Sequence, residues 1–218
     1  MKHLIGFVIL FFSSIPVQYG QYTSAKDSDP EALSLLQKAG DKLNSQNTQV
    51  TFSLKLSYPG QEGEPNVGIL YQSGASYRLD LDQYSIWSDG KTRWIHLKPQ
   101  NEINIYNEAQ GQDWLSPTDF LRLHEAQDLV FVLAGTKADG ASIIEAKPLK
   151  GRFDDYSKFT IIVKNGTLTS IKAIAKDGTR QEMFMGAVTH PATLDNAKLF
   201  SFNKSQYPGV HIEDLRLD

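Results

Sequence analysis

The sequence predicts a mainly β protein of the α+β class, in which helices cover one face of a curved antiparallel sheet. Three observations predict this fold. Most of the chain after residue 47 consists of short segments in which apolar and polar residues alternate, as in strands with one buried face. Turn signals separate these segments at hairpin spacing, and one long helical pattern precedes them. An open sheet must cover its apolar face, so a small helical cover leaves either a packed core or an apolar cavity.

The first twenty residues have the three-part pattern of a secretory signal peptide. Lys2 gives a positive start, Leu4–Ile15 is an apolar run too short to span a bilayer, and small residues surround Gly20. We expect cleavage near Gly20 and export to the periplasm. Residues 21–218 then form a single domain, because no repeat or linker divides them.

The helical pattern covers residues 29–44. Asp29 is a suitable cap, Pro30 fits the first helical position, and Glu31 is favourable in the first turn. An apolar stripe recurs at helical spacing through Leu33, Leu36, Ala39 and Leu43.

Alternating segments then predict two groups of strands. We expect strands near residues 50–58, 67–71, 77–81, 84–87, 92–97, 102–106, 129–134, 142–147, 159–163, 167–175 and 180–188. Asp89-Gly90 and Asn165-Gly166 are the strongest hairpin turns. A last alternating piece contains Val210 and Ile212.

A short helix interrupts the strands. Ser116 as cap and Pro117 at the first helical position predict its start, and it runs to about Ala126. It is rich in apolar side chains for its length, with Phe120, Leu121 and Leu123.

Composition excludes several classes of function. The chain has 22 basic and 25 acidic residues and a formal net charge of −3, without a basic cluster along the sequence. Such a chain is a poor candidate for binding nucleic acid or anionic lipid surfaces. It has no cysteine, which excludes disulfides, thiol chemistry and a lipidated cysteine.

No pattern in the sequence indicates catalysis. The four histidines after the signal segment lack the spacing of a zinc motif, and no nucleophile elbow, phosphate loop or dinucleotide fingerprint occurs. The carboxylate pairs Asp154-Asp155 and Asp80/Asp82 fit solvated loop and strand positions. We therefore expect no enzyme activity, no metal and no cofactor.

Several segments together resemble the periplasmic outer-membrane lipoprotein carrier proteins (LolA-like). Residues 86–95 read Ile-Trp-Ser-Asp-Gly-Lys-Thr-Arg-Trp-Ile, which is similar to the hairpin motif of that family. The meander from Phe159 through Asp177-Gly178 and the ending from Leu199 to Asp214, with its Pro208-Gly209-Val210, resemble the family as well. The likeness spans nearly the whole chain after the signal segment.

The resemblance implies an incomplete antiparallel barrel with a helical lid over an apolar cavity. Family members take lipoproteins from an inner-membrane lipoprotein-releasing transporter, shield their acyl chains, and pass them to an outer-membrane acceptor. The expected partners are therefore acylated lipoproteins and these two membrane assemblies. The protein itself is expected to be a monomer that meets membranes only transiently.

One face of the early strands and the short helix would line this cavity. The residues expected there are Phe52, Leu54, Leu56, Ile69, Tyr71, Leu79, Trp94, Phe120, Leu121 and Leu123. Each could equally be ordinary core, because core packing and cavity lining use the same alternating face. An alternative function on the same scaffold is a lipid-binding sensor or regulatory module of envelope lipoprotein stress.

The sequence departs from the family at one place. Well-known members follow the strand of Gly68–Tyr71 with an arginine that helps to hold the lid closed, and Gly74 stands at that place here. Arg78, four residues further on, is the available substitute.

Overall fold

A computed structural model of the protein describes residues 22–44, 47–108 and 123–216. Its strands form one strongly curved sheet of twelve strands that does not close. The predicted fold class is confirmed. The inner face of the sheet is the one against which the long helix packs, and the opposite face is called the outer face.

The helices are α1 (Pro30–Asn44) and the short α2 (Asn196–Leu199). The first group of strands is β1 (Thr48–Ser57), β2 (Pro65–Ser73), β3 (Ser76–Asp80), β4 (Tyr84–Ser88), β5 (Thr92–Leu97) and β6 (Glu102–Asn107). The second group is β7 (Leu129–Thr136), β8 (Ser142–Pro148), β9 (Tyr156–Lys164), β10 (Thr167–Ala175), β11 (Arg180–Thr189) and β12 (His211–Asp214).

The sheet joins two antiparallel meanders. Its strand order is β12-β6-β5-β4-β3-β2-β1-β11-β10-β9-β8-β7. Pairing of β1 with β11 connects the meanders, and Val50 lies opposite Val188. The last strand, β12, adds to the free edge of β6 in parallel.

Local turn chemistry places the predicted hairpins. Asn165 and Gly166 have φ values of 51° and 66°, and they connect β9 to β10. Positive φ at both central residues is the requirement of a tight hairpin turn, which Asn-Gly meets at low cost. This predicted hairpin is confirmed.

The long helix covers part of the inner face. Asp29 caps it, since its Oδ1 accepts a 2.8 Å hydrogen bond from the Glu31 amide. The buried stripe consists of Ala32, Leu36, Ala39 and Leu43 and faces β7, β9 and β10. Leu33, which the sequence pattern placed in the stripe, is 37% exposed. Ala32, four residues before Leu36, takes that place because it lies on the same side of the helix.

The predicted short helix lies mostly outside the described residues, since residues 109–122 are not among them. Its end is described: Leu123–Glu125 forms a single 3-10 turn, and Leu123 is buried.

The edge of the sheet at β7 is covered by the chain that leads into α1. The Asp29 amide donates to the Phe131 carbonyl at 2.8 Å, and the Phe131 amide donates to Ser28 Oγ at 3.1 Å. These bonds occupy backbone groups that would otherwise be open to another strand.

The outer face has its own small apolar cluster. Trp87, Ile103 and Val210 are buried there, and the carboxy-terminal segment packs on them through Phe202, Tyr207 and Ile212. His96 lies in this cluster, with its ring centroid 5.0 Å from that of Tyr207 and 6.4 Å from that of Trp87. Its Nε2 atom is buried and has no hydrogen-bond partner among the described residues.

This histidine makes the stability of the cluster depend on pH. Burial, and secondarily the positive charge of Lys98, lower the pKa of His96 below its ordinary value of 6.5. The unfolded chain therefore binds a proton at a higher pH than the folded chain does. We expect the free energy of unfolding to fall as the pH drops through about 6.5 and down to the lower folded-state pKa.

Denaturant unfolding at pH 8 and pH 5 tests this expectation for the wild-type protein and the His96→Leu variant. The loss of stability between the two pH values should be smaller in the variant, which removes the titrating group. Equal losses in the two proteins would show that His96 is not the group responsible.

Candidate functional site: a cavity on the inner face beyond the long helix

The inner face is packed where α1 covers it. The space left between Leu36, Ala39 and Leu43 on one side and Ile161 and Ile171 on the other is about 20 Å³. A void of this size holds at most a single water molecule. This part of the inner face is core and offers no room for a ligand.

Beyond the helix the inner face opens into a cavity of about 680 Å³. Strands β1, β2, β4, β9, β10 and β11 contribute to its wall. Its apolar surface comes from Leu54, Leu56, Tyr58, Tyr84, Tyr156 and Ala175. Leu56 is 38% exposed, so the cavity presents an apolar side chain directly to solvent.

Strand register explains why these side chains meet. Leu54 lies opposite Met183 and Leu56 opposite Gln181, which carries the inner face of β1 onto β11. Ala175 ends β10 beside the 176–179 turn, and Tyr156 begins β9 opposite Ala175. The cavity is therefore built where one end of β1 meets the strand ends of the second meander.

The charged side chains of the cavity wall are all negative. Glu64, Asp155 and Asp177 contribute carboxylates, and no lysine or arginine lines the described wall. Asp177 accepts hydrogen bonds from the Thr179 amide at 2.8 Å and from Thr179 Oγ1 at 3.0 Å. These bonds lower the pKa of Asp177, which stays ionised.

Three tyrosines contribute to the wall: Tyr58, Tyr84 and Tyr156. Burial raises the pKa of Tyr84 to about 12. The Tyr156 hydroxyl donates to Gln181 Oε1 at 3.4 Å. The tyrosine rings add apolar area to the wall, and the Tyr84 hydroxyl stays neutral.

A polar cluster occupies the opposite end of the inner face. Glu108 accepts hydrogen bonds from the Tyr77 hydroxyl at 3.1 Å and from Ser88 Oγ at 2.7 Å, and Arg93 Nη1 lies 3.9 Å from its Oε1. Burial and the charge of Glu108 raise the pKa of Tyr77. Ser88 begins the Ser-Asp-Gly-Lys-Thr segment and Arg93 directly follows it, so both ends of this segment serve the buried network.

The remainder of the motif forms the turn between β4 and β5. Asp89 Oδ1 accepts from the amides of Lys91 and Thr92, both at 2.8 Å, and Gly90 has a φ of 86°. The most specific feature of the sequence therefore has a structural explanation at the end of the sheet away from the cavity.

The predicted cavity residues divide into four groups. Leu54 and Leu56 line the cavity. Phe52 and Leu79 are buried in the inner core, and Leu123 packs beneath α1. Phe120 and Leu121 lie outside the described residues. The remaining three lie on the outer face: Ile69, Tyr71 and Trp94.

The placement of these three on the inner face was wrong. In β2 the inner positions are Asn66, Gly68, Leu70 and Gln72, because Gly68 lies opposite Phe52 and Leu70 opposite Val50. In β5, Trp94 lies opposite Trp87 and joins the cluster under the carboxy-terminal segment. Arg78 is also on the outer face, paired with Asp80 at 2.8 Å.

Sequence reasoning missed Tyr84, Tyr156, Ala175 and Gln181 as cavity residues. Alternation identified their strands, but their meeting depends on the pairing of β1 with β11, which joins distant segments. The turn at Asp177-Gly178 was the one available signal, since Ala175 and Gln181 flank it.

The described residues contain no group of three or more side chains suited to holding a metal ion. Within the same ranges, every helix is too short or too polar to cross a membrane.

Comparisons with known proteins found fold relatives alone. No protein-family model and no curated protein matches the chain. An uncharacterized conserved protein from Thermus thermophilus matches with a TM-score of 0.56 and 11% identity, over 84% of this chain and 99% of that one. A DUF1329 family protein from Desulfovibrio piger matches with a TM-score of 0.48 and 14% identity, over 81% and 98%. A LolA superfamily protein from Nitrosomonas europaea matches with a TM-score of 0.44 and 13% identity, over 78% and 97%.

At these identities the likeness concerns the fold. The observed architecture is the one that the sequence resemblance implied, an unclosed antiparallel sheet curved around a helix. The predicted fold is therefore confirmed by the architecture itself.

Proposed function

We propose that this LolA-like fold binds the acyl chains of lipoproteins and carries them through the periplasm from the inner to the outer membrane. The observation that carries the proposal is the cavity of about 680 Å³ on the inner face beyond α1. Its volume lies within the range of roughly 300–1,000 Å³ that is typical of ligand pockets.

The physical requirement for such a carrier is the shielding of methylene groups from water. Each exposed methylene costs about 0.8 kcal/mol, so acyl chains of ordinary length need an apolar surface to cross an aqueous compartment. Leu54, Leu56, Tyr84, Tyr156 and Ala175 offer that surface. In this proposal Phe52 and Leu79 support the wall from the core side.

Release is as important as binding, and the exposed position of the cavity favours it. Leu56 reaches solvent and carboxylates surround the apolar surface, so bound chains would remain close to water. An open site of this kind suits cargo that must be handed to another protein.

The sequence supplies the remaining parts of the proposal. Residues 1–20 act as a signal peptide, and residues 21–218 are the single carrier domain. The carrier is a non-catalytic monomer that receives lipoproteins from an inner-membrane transporter and delivers them to an outer-membrane acceptor.

Native mass spectrometry of protein gently purified from a periplasmic extract tests this function. We expect co-purifying acylated proteins or peptides, which lipid extraction and intact-mass measurement would identify. A small free lipid in their place would support a lipid-binding sensor on the same scaffold. Failure of the folded protein to load added lipoprotein would overturn the carrier function.

A further inference from the structure

A second depression on the surface is lined by lysines. This lysine groove has a volume of about 1060 Å³ and lies where the chain preceding α1 meets the ends of β8, β9 and β10. Its cations are Lys26, Lys147, Lys150, Lys158 and Lys176. Lys26 is remote in sequence from the other four, which lie within residues 147–176, and the chain as a whole carries a net charge of −3.

The acidic side chains of the groove are engaged by backbone amides. Asp154 Oδ1 accepts from the Gly151 amide at 3.0 Å, and Asp128 Oδ2 accepts from the Arg152 amide at 2.9 Å. These bonds hold the 149–155 loop in shape. The two carboxylates therefore serve the loop and leave the groove with an excess of positive charge.

The lysines differ in how strongly they are held. Lys158 pairs with Glu145 at 3.0 Å, and the Lys147 ammonium lies 5.2 Å from the centre of the Tyr22 ring. Lys26, Lys150 and Lys176 are exposed and form no ion pair within the described parts of the chain. The ammonium groups of these three lysines are thus accessible to an anion from solvent.

The groove borders on the cavity, because Tyr156 lines both. The two depressions have opposite charge: the cavity has carboxylates without lysine, and the groove has the lysines. A surface held by the lysines would therefore lie beside the apolar opening.

We propose that the lysine groove is a docking site for the phosphate groups of an anionic phospholipid bilayer. Lysine carries a compact charge on a flexible stem, which suits phosphates of variable position, whereas fixed bidentate recognition usually employs arginine. Tyr22 adds an aromatic ring of the kind that favours the membrane–water interface. Docking at the groove brings the neighbouring cavity close to the lipid surface. That this contact helps the transfer of acyl chains rests on the proposed function.

The sequence alone indicated the opposite, since its basic residues do not cluster. Folding brings Lys26 next to four lysines that are spread over residues 147–176. Binding of this kind is electrostatic and weak, which agrees with transient contact with membranes.

Vesicle flotation tests the proposal with protein recovered from a periplasmic extract. Vesicles of phosphatidylglycerol mixed equally with phosphatidylcholine should bind the protein at about 0.05 M salt and release it at about 0.5 M. Vesicles of phosphatidylcholine alone should not bind it. A lysine near an anionic surface contributes about fivefold in affinity, so replacing Lys26, Lys150 and Lys176 by alanine should weaken binding about a hundredfold.

The matched control replaces Lys38, Lys137 and Lys204, which are exposed and do not line the groove. It has the same net charge as the groove variant and should bind anionic vesicles as the wild type does. Melting curves of the wild type and both variants show whether they are folded. Binding of an acyl-chain probe to all three proteins should be equal, which shows that a loss of vesicle binding does not come from the cavity.

Three results would overturn the proposal. The groove variant could bind anionic vesicles as well as the wild type, or both triple variants could lose binding equally, which would assign the effect to net charge. Binding of polyglutamate through the same lysines, without binding to vesicles, would assign the groove to an acidic polypeptide.

Discussion

Replacing Leu56 by glutamate should reduce acyl-chain binding by at least about a hundredfold while the protein stays folded. Leu56 lines the cavity and is 38% exposed, so the new carboxylate can remain hydrated in the empty protein. A bound acyl chain would displace that water and leave the charge against methylene groups, which is costly without a partner. Titration with a fluorescent fatty acid, alongside a melting curve, measures both parts of the expectation.

Val67→Glu is the matched control for this substitution. Val67 lies on the neighbouring strand but on the outer face, where it is 69% exposed. It introduces the same charge close by in the sheet without entering the cavity, and binding should be unchanged. Equal affinity of the Leu56→Glu variant and the wild type would show that acyl chains do not occupy this cavity.

Gly68→Val should destabilise the fold by about 3 kcal/mol or more. Gly68 sits on the inner face of β2 opposite Phe52. A Cβ atom there would lie 2.6 Å from Phe52 Cζ, 2.8 Å from Leu81 Cδ2 and 2.9 Å from the Asp80 carbonyl oxygen. The Phe52 ring occupies the space that the glycine leaves empty, so even alanine should cost about 1–3 kcal/mol.

Denaturant unfolding of Gly68→Ala, Phe52→Leu and the double variant distinguishes this contact from a general effect on the strand. Shortening Phe52 removes the nearest clash, so the double variant should be more stable than the sum of the two single effects predicts. The Asp80 carbonyl remains close and limits the recovery. Strict additivity, or a Gly68→Ala protein as stable as the wild type, would contradict the packing described here.

The elements that depend on local sequence were predictable. Alternation of apolar and polar residues with a period of two predicted the strands. Asn165-Gly166 predicted a hairpin, because these residue types adopt positive φ easily. The start of α1 followed from Asp29 and Pro30 for the same reason, since capping is decided within a few residues.

Alternation could not predict which side chains of β2 and β5 lie on the inner face of the sheet. In β2 the apolar residues Ile69 and Tyr71 suggest one face, but the ring of Phe52 requires a glycine opposite and sets the other. In β5 apolar side chains pack on both faces, because the carboxy-terminal segment partly covers Trp94 from outside. A strand with two buried faces carries no alternation that reveals which one is inner.

The cavity and the lysine groove share a further difficulty. Leu56 lies opposite Gln181, and Lys26 lines the same groove as Lys176, only because the sheet is complete. Sequence separation hides such neighbours, since nothing local to either residue depends on the other. Residue types at these places become informative once the strand order is known.

The pairing of β1 with β11, and of β12 with β6, also determines when the protein can fold. The centre of the sheet cannot form before residues 180–189 have been synthesised. The small apolar cluster of the outer face likewise requires residues 202–212. A growing chain can form separate hairpins early, but distant contacts of this kind slow the completion of a β fold. The complete sheet can therefore form only after almost the whole chain has been synthesised, and until then β1 and β6 lack one of their two neighbouring strands.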